Sequence, residues 1–80
     1  GSCFKNPPGD YAGRLIEAVG LKGEHVGAMA FSHVHANFLV NTGGGTYADA
    51  LILIQKAQMR VKEQFNIDLQ CEIVLMDQNL

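Results

Sequence analysis

With 80 residues, 48% of them apolar and 18% charged, the chain is sized for one small globular domain and is too apolar for a disordered tail. Its net charge of −2 is spread without blocks of like sign, which argues against nucleic acid and anionic membrane surfaces as main partners. No apolar run approaches the roughly 20 residues of a membrane span, and no signal peptide is visible.

The chain opens on Gly1-Ser2-Cys3-Phe4-Lys5-Asn6-Pro7, which sets a hydroxyl, an ammonium and an amide close together before Pro8 and Gly9 force a turn. Such a segment reads as an active-site strand ending in a rigid loop. Chain ends are usually frayed, so a chemical motif at residue 1 leads to the expectation of a domain cut from something larger. A Gly-Ser pair is also what a cleaved expression tag leaves behind. Asp10 is a candidate N-cap for a helix over residues 11–19, where Ala12, Leu15, Ile16 and Val19 recur at helical spacing and Gly20 supplies the stop. After a polar turn at residues 21–24, the Val, Phe, Met and His content predicts two short strands, near 25–31 and 37–41.

Asn41-Thr42-Gly43-Gly44-Gly45 then breaks the chain ahead of its strongest element. Thr46 is set to cap a helix running to about Gln64, with Asp49 three residues on as capping-box partner. The core stripe of that helix is Tyr47, Ala50, Ile54, Ala57, Val61 and Phe65, flanked by Leu51. Beyond a turn at Asn66, Leu69, Cys71, Ile73 and Leu75 alternate with Gln70, Glu72, Val74 and Met76 as a strand. The order predicts a single α+β domain over residues 1–80, two-layered, with helices packed on one face of a short mixed or antiparallel sheet. Ile52 and Met59, with Ala48 above them, fall opposite the core stripe. They are either ordinary surface apolar residues or a second face that meets a missing domain or a second copy.

Four features carry candidate chemistry. Glu72 stands in a strand apolar on both faces, where desolvation favours the protonated, proton-donating form of a carboxyl; the alternative is an edge glutamate facing water. His33 and His35 share one strand face with His25 near in sequence, but no third and fourth ligand stands at metal spacing, so hydrogen-bonding core or rim histidines are preferred. Gly43-Gly44-Gly45 before a helix resembles a phosphate cradle, yet lacks the Lys-Ser/Thr of a P-loop and the spacing of a dinucleotide fingerprint; a flexible connection is the simpler account. Ser2 has no adjacent base and no nucleophile elbow, but on an extended strand Ser2, Phe4 and Asn6 point one way, putting hydroxyl and amide on one pocket wall. Cys3 and Cys71 are too few for a disulfide scaffold and are read as free thiols of a reducing cytosol, one disulfide being the alternative.

The opening heptapeptide, Ala12-Gly13-Arg14-Leu15-Ile16-Glu17-Ala18, Gly20-Leu21-Lys22-Gly23, His35-Ala36-Asn37-Phe38-Leu39-Val40-Asn41 and Leu69-x-x-Glu72 occur here in one order. That set resembles the C-terminal, substrate-binding domain of UDP-N-acetylenolpyruvoylglucosamine reductase, also called UDP-N-acetylmuramate dehydrogenase, over essentially the whole chain. The short pattern is similar to the variant lacking an extra loop in the substrate domain.

The resemblance implies a bacterial, cytosolic flavoprotein oxidoreductase of peptidoglycan precursor synthesis, in which NADPH reduces FAD and hydride then passes to the enolpyruvyl methylene of the UDP-sugar. It further implies that Ser2 delivers a proton to the substrate's α-carbon, that Glu72 stabilises or protonates the enolate-like intermediate, and that Asn6 and Lys5 lie in the stretch contacting the nucleotide-sugar. FAD and NADPH are expected to need the N-terminal FAD-binding domain, absent from these residues, so the 80-residue chain alone is expected to be inactive and to hold no cofactor and no metal. Two positions depart from the family pattern: Cys71 replaces a proline before the glutamate, and Val74 replaces an arginine two after it. They put the orientation of Glu72 in question and leave room for a non-catalytic binding or assembly module on the same fold.

Overall fold

A computed structural model describes residues 2–72 of the chain. Its elements run α1 (Ala12–Ala18), β1 (His25–Val26), β2 (Met29–Phe31), β3 (Leu39–Asn41) and α2 (Tyr47–Phe65). The strands form an antiparallel sheet in the order β1-β2-β3, with Met29 opposite Asn41 and Phe31 opposite Leu39. The two-layer α+β expectation therefore holds, and the sheet is antiparallel, not mixed.

The predicted strand near 25–31 is in fact a hairpin. Val26 pairs with Met29 around Gly27 and Ala28. Gly27 takes φ 57° at the first central position of the two-residue loop, the place a type II′ turn reserves for glycine. The Gly27 that diluted the strand pattern is thus the turn that splits it.

α1 ends as its sequence predicts. Gly20 adopts φ 81°, and the amides of Gly20 and Leu21 donate to the carbonyls of Glu17 and Ile16, the paired bonds of a Schellman motif. Its start differs. Tyr11, not Asp10, is the N-cap residue and offers no side-chain bond; the Ala12 N–H is taken instead by Asn6 Oδ1 at 3.0 Å. Asp10 caps nothing inside the helix: it accepts from the Tyr11 N–H and, through both oxygens, from Arg14. These bonds, Arg14's first, hold its carboxyl down to about 2.

α2 begins with the predicted capping box, Thr46 accepting from the Asp49 N–H while the Asp49 carboxylate accepts from the Thr46 N–H. It ends on Asn66, left-handed at φ 57°. Its buried face is Ala50, Leu53, Ile54, Ala57 and Val61. Leu53 belongs to the core although the predicted stripe omits it. Tyr47 is half-buried and Phe65 lies at the rim, where the Arg14 guanidinium sits 5.5 Å from its ring centroid.

Both helices and the sheet close on one core. Met29 and Phe31 face it from β2, Leu15 and Ile16 from α1, and Cys3 and Phe4 from the opening segment. Burying a side chain of this size contributes roughly 1.5–3 kcal/mol. The opening segment is therefore part of the core that holds the layers together. Among the described residues no helix is long and apolar enough to cross a membrane.

Candidate functional site

Residues 2–5 form a segment that bends at Cys3 and is paired on both edges. On one edge Ser2 forms an antiparallel bridge to Phe38, and the Cys3 N–H donates to the Asn37 carbonyl at 2.6 Å. On the other, Phe4 bridges antiparallel to Cys71, the Lys5 N–H donates to the Gln70 carbonyl at 2.8 Å, and the Glu72 N–H donates to the Cys3 carbonyl at 2.9 Å. Two stretches distant in sequence thus meet: Ser2 precedes, and Glu72 is bonded to, the same residue, Cys3. Ile73, Val74, Leu75 and Met76 of the predicted last strand lie outside the described residues.

Two hollows flank this segment. One, of about 310 Å³, is lined by Asn6, Tyr11, Glu17, His35, Asn37 and Phe38 among others. The second, of about 290 Å³, is lined by Lys5, Asn6, Pro7, Pro8, Asp68 and Gln70. Asn6 belongs to both and forms the wall between them. Its Oδ1 is committed to the Ala12 N–H, which leaves the amide N–H groups as its ligand-facing donors.

Strict alternation along the opening segment does not survive. Cys3 and Phe4 are both fully buried, because the chain bends at Cys3, whose N–H and carbonyl bond to opposite neighbours, Asn37 and Glu72. Ser2 is half-buried and lines neither hollow, so hydroxyl and amide do not share one wall. Glu72 corrects a second expectation. It is exposed, as is Cys71 beside it, since nothing among the described residues covers this end of the sheet. The desolvation foreseen for Glu72 is not supplied by residues 2–72. Lys5 is exposed at the mouth of the second hollow.

Neither cysteine is bonded to the other. Burial, with Cys71 adding to it, pushes the Cys3 thiol up to about 12, so it stays protonated and unreactive, a packing residue. The glycine-rich connection is organised, not open. Asn41 Oδ1 accepts from the Gly43 and Gly45 amides at 2.9 and 3.0 Å, and Asp49 takes the Thr46 amide. Four N–H groups of this stretch, those of Gly43, Gly45, Thr46 and Asp49, are therefore already taken. His33 has its ring against Gly23, and His35 stacks obliquely on Phe38 with centroids 5.4 Å apart. Among the described residues no group of three His, Cys, Asp or Glu side chains is placed to hold a metal.

One contributor escaped sequence reasoning. Asn37 bonds Phe4 with both ends of its side-chain amide, Oδ1 to the N–H and Nδ2 to the carbonyl, each at 2.9 Å. Its neighbours His-Ala-Asn-Phe mark a family stretch, but no local pattern announces a bond to a residue so far away in sequence.

By their fold and site, the described residues form a small α+β domain with Ser2, Lys5, Asn6 and Glu72 gathered about the paired segments 2–5 and 70–72. Residues 1–76 match the family described as "UDP-N-acetylenolpyruvoylglucosamine reductase, C-terminal domain", and the chain belongs to that family. It is 59% identical over 76 residues to the UDP-N-acetylenolpyruvoylglucosamine reductase of Helicobacter hepaticus, covering 95% of this chain and 29% of the relative. With the enzyme of the same name from Anaeromyxobacter dehalogenans it shares 62% over 76 residues, 95% of this chain and 23% of the relative. The crystal structure of the Thermus caldophilus UDP-N-acetylenolpyruvylglucosamine reductase superposes with a TM-score of 0.71 at 46% identity, over 90% of this chain and 26% of that one. The chain thus spans about a quarter of the length of these relatives.

Proposed function

We propose that this domain is the substrate side of a cytosolic reductase that converts the enolpyruvyl ether of UDP-N-acetylglucosamine to UDP-N-acetylmuramate. The observation that carries the reading is the pairing of residues 2–5 with 70–72, which draws Ser2, Lys5 and Glu72 to one end of the sheet. In this reading Ser2 gives its hydroxyl proton to the substrate's α-carbon once the neighbouring methylene has been reduced. A serine hydroxyl is a very weak acid, so it serves only a strongly basic carbanionic centre, and solvent restores its proton. Glu72 lies across the same strand pair and acts as the acid that stabilises or protonates the enolate-like intermediate, donating from its carboxyl O–H toward the charge that develops there. A positioned donor of that kind is worth roughly 3–4 kcal/mol in a water-poor site. Asn6 offers its amide N–H groups to the nucleotide-sugar, and Lys5 offers an ammonium at the adjoining hollow.

FAD and NADPH supply the hydride in reductases of this family. The glycine-rich loop is a poor fit to a cofactor phosphate: its Gly43, Gly45 and Thr46 amides are already taken by Asn41 and Asp49, and no Lys-Ser/Thr pair follows it. Both cofactors are assigned to the rest of a reductase chain, which also supplies the cover that Glu72 lacks. Ile52 and Met59, 50% and 58% exposed on the outer face of α2, are the apolar residues available to meet that remainder.

The test is a reductase chain carrying this domain with Ser2→Ala and Glu72→Gln introduced singly. Each is expected to slow reoxidation of reduced flavin by the enolpyruvyl substrate about 10²–10⁴-fold, the usual contribution of a proton donor, while flavin reduction by NADPH keeps its rate. Turnover insensitive to both changes would favour a non-catalytic module instead. Ile52→Glu with Met59→Glu is expected to weaken flavin retention or soluble yield; no change removes that face from the domain interface.

A further inference from the structure

The residue that fixes the Ser2–Asn6 segment lies outside it. Asn37 accepts the Phe4 N–H on Oδ1 and donates from Nδ2 to the Phe4 carbonyl, both at 2.9 Å, while its own carbonyl accepts the Cys3 N–H at 2.6 Å. Its side-chain amide occupies the place of a neighbouring strand's peptide and satisfies both backbone groups of one residue. We propose that Asn37 is a positioning residue that sets the register of Ser2–Asn6 for turnover of the nucleotide-sugar, a role that rests on the assignment of Ser2 and Asn6 above.

The reason is directional. A single-residue slip in register turns every side chain to the other face, and the Asn37 amide adds a side-chain lock to the backbone pairing already present on both edges. A donor and an acceptor held at fixed separation meet the N–H and the carbonyl of Phe4 together, and a slip by one residue would offer them neither pair, since the Cys3 carbonyl and the Lys5 N–H are bonded to Glu72 and Gln70. Phe4 lies midway between the hydroxyl of Ser2 and the amide of Asn6, so locking it locks both. A misplacement of about 1 Å at a reacting group costs on the order of 10²-fold in rate.

The experiment uses the flavin-loaded reductase carrying this domain. Asn37→Asp keeps the shape and the acceptor but sets a carboxylate oxygen against the Phe4 carbonyl. Reoxidation of reduced flavin by the enolpyruvyl substrate is expected to fall about 10²-fold at pH 8. A protonated carboxyl again offers one donor and one acceptor, so the rate is expected to recover as pH falls, about tenfold per unit while the carboxyl remains mostly charged. Asn37→Ala, with no such group, is expected to show no acid recovery beyond that of the unmodified protein. Equal losses in the two variants at every pH, or no loss in either, overturn the proposal.

Ser2→Ala measured alongside separates the two claims. A slow Asn37→Asp beside a normal Ser2→Ala keeps the clamp and removes the serine from its role; the reverse keeps the serine and removes the clamp. Should both Asn37 variants fail to fold, hydrogen exchange in the unmodified protein decides. Slow exchange at the Phe4 amide supports the clamp, and exchange as fast as that of the exposed Lys22 amide overturns it.

Discussion

Asn37 and Asn41 use the same side-chain amide to hold backbone groups, but in two regions of opposite reach. Asn41 closes its own loop, bonding Gly43 and Gly45 within four residues, all of it exposed. Asn37 bonds Phe4, 33 residues away, whose side chain is fully buried. The first arrangement shapes a connection between β3 and α2. The second joins the beginning of the chain to its middle and so builds the candidate site. Water can replace one set of bonds and has little access to the other, so identical chemistry carries different weight.

The comparison is broken or sharpened most directly by removing each amide. Asn37→Ala leaves a donor and an acceptor of Phe4 unpaired in a half-buried place, and the expected loss is about 2–4 kcal/mol of stability, read by chemical denaturation. A loss near zero would mean that water substitutes there as freely as in the loop. Asn41→Ala is expected to cost only about 0.5–1 kcal/mol, because the freed Gly43 and Gly45 amides are hydrated. An Asn41 effect equal to that of Asn37 would erase the distinction between local and long-range clamps.

The smallest effect concerns the turn that leads out of the opening segment. Arg14 and the Tyr11 N–H hold the Asp10 carboxyl at about 2, below its ordinary 3.8. A carboxyl lowered on folding adds stability that is fully present above its unfolded value and is lost as pH falls through the folded one. Melting temperature is therefore expected to drop between pH 4 and pH 2, and to drop less steeply in Asp10→Asn. Parallel slopes for the two proteins would show that this exposed pair stabilises nothing measurable.

Legibility followed the same division between local and long-range order. The Thr46–Asp49 capping box and the Gly20 stop were readable because each is satisfied within a few residues of itself. So was most of the α2 stripe, since helical spacing decides which residues share a face; Leu53 fell outside the stripe chosen. The hairpin at Gly27 was missed because a glycine inside an apolar run looks like dilution of a strand until its positive φ is seen. Asp10 has the residue type of a cap, whereas Asn6, from across the Pro7-Pro8-Gly9 turn, holds the Ala12 N–H.

At the candidate site, residue order alone established which groups are available: the hydroxyl of Ser2, the ammonium of Lys5, the amide of Asn6 and the carboxyl of Glu72. It also established the α+β class, because alternation and helical periodicity are local properties of the chain. Only the tertiary structure decided that Ser2 and Glu72 flank Cys3, that Glu72 is exposed, and that Asn37 grips Phe4. Those facts depend on which distant segments pair, and pairing is chosen by the burial of Cys3, Phe4 and their neighbours in one core, a sum over the whole chain that no short stretch of it encodes.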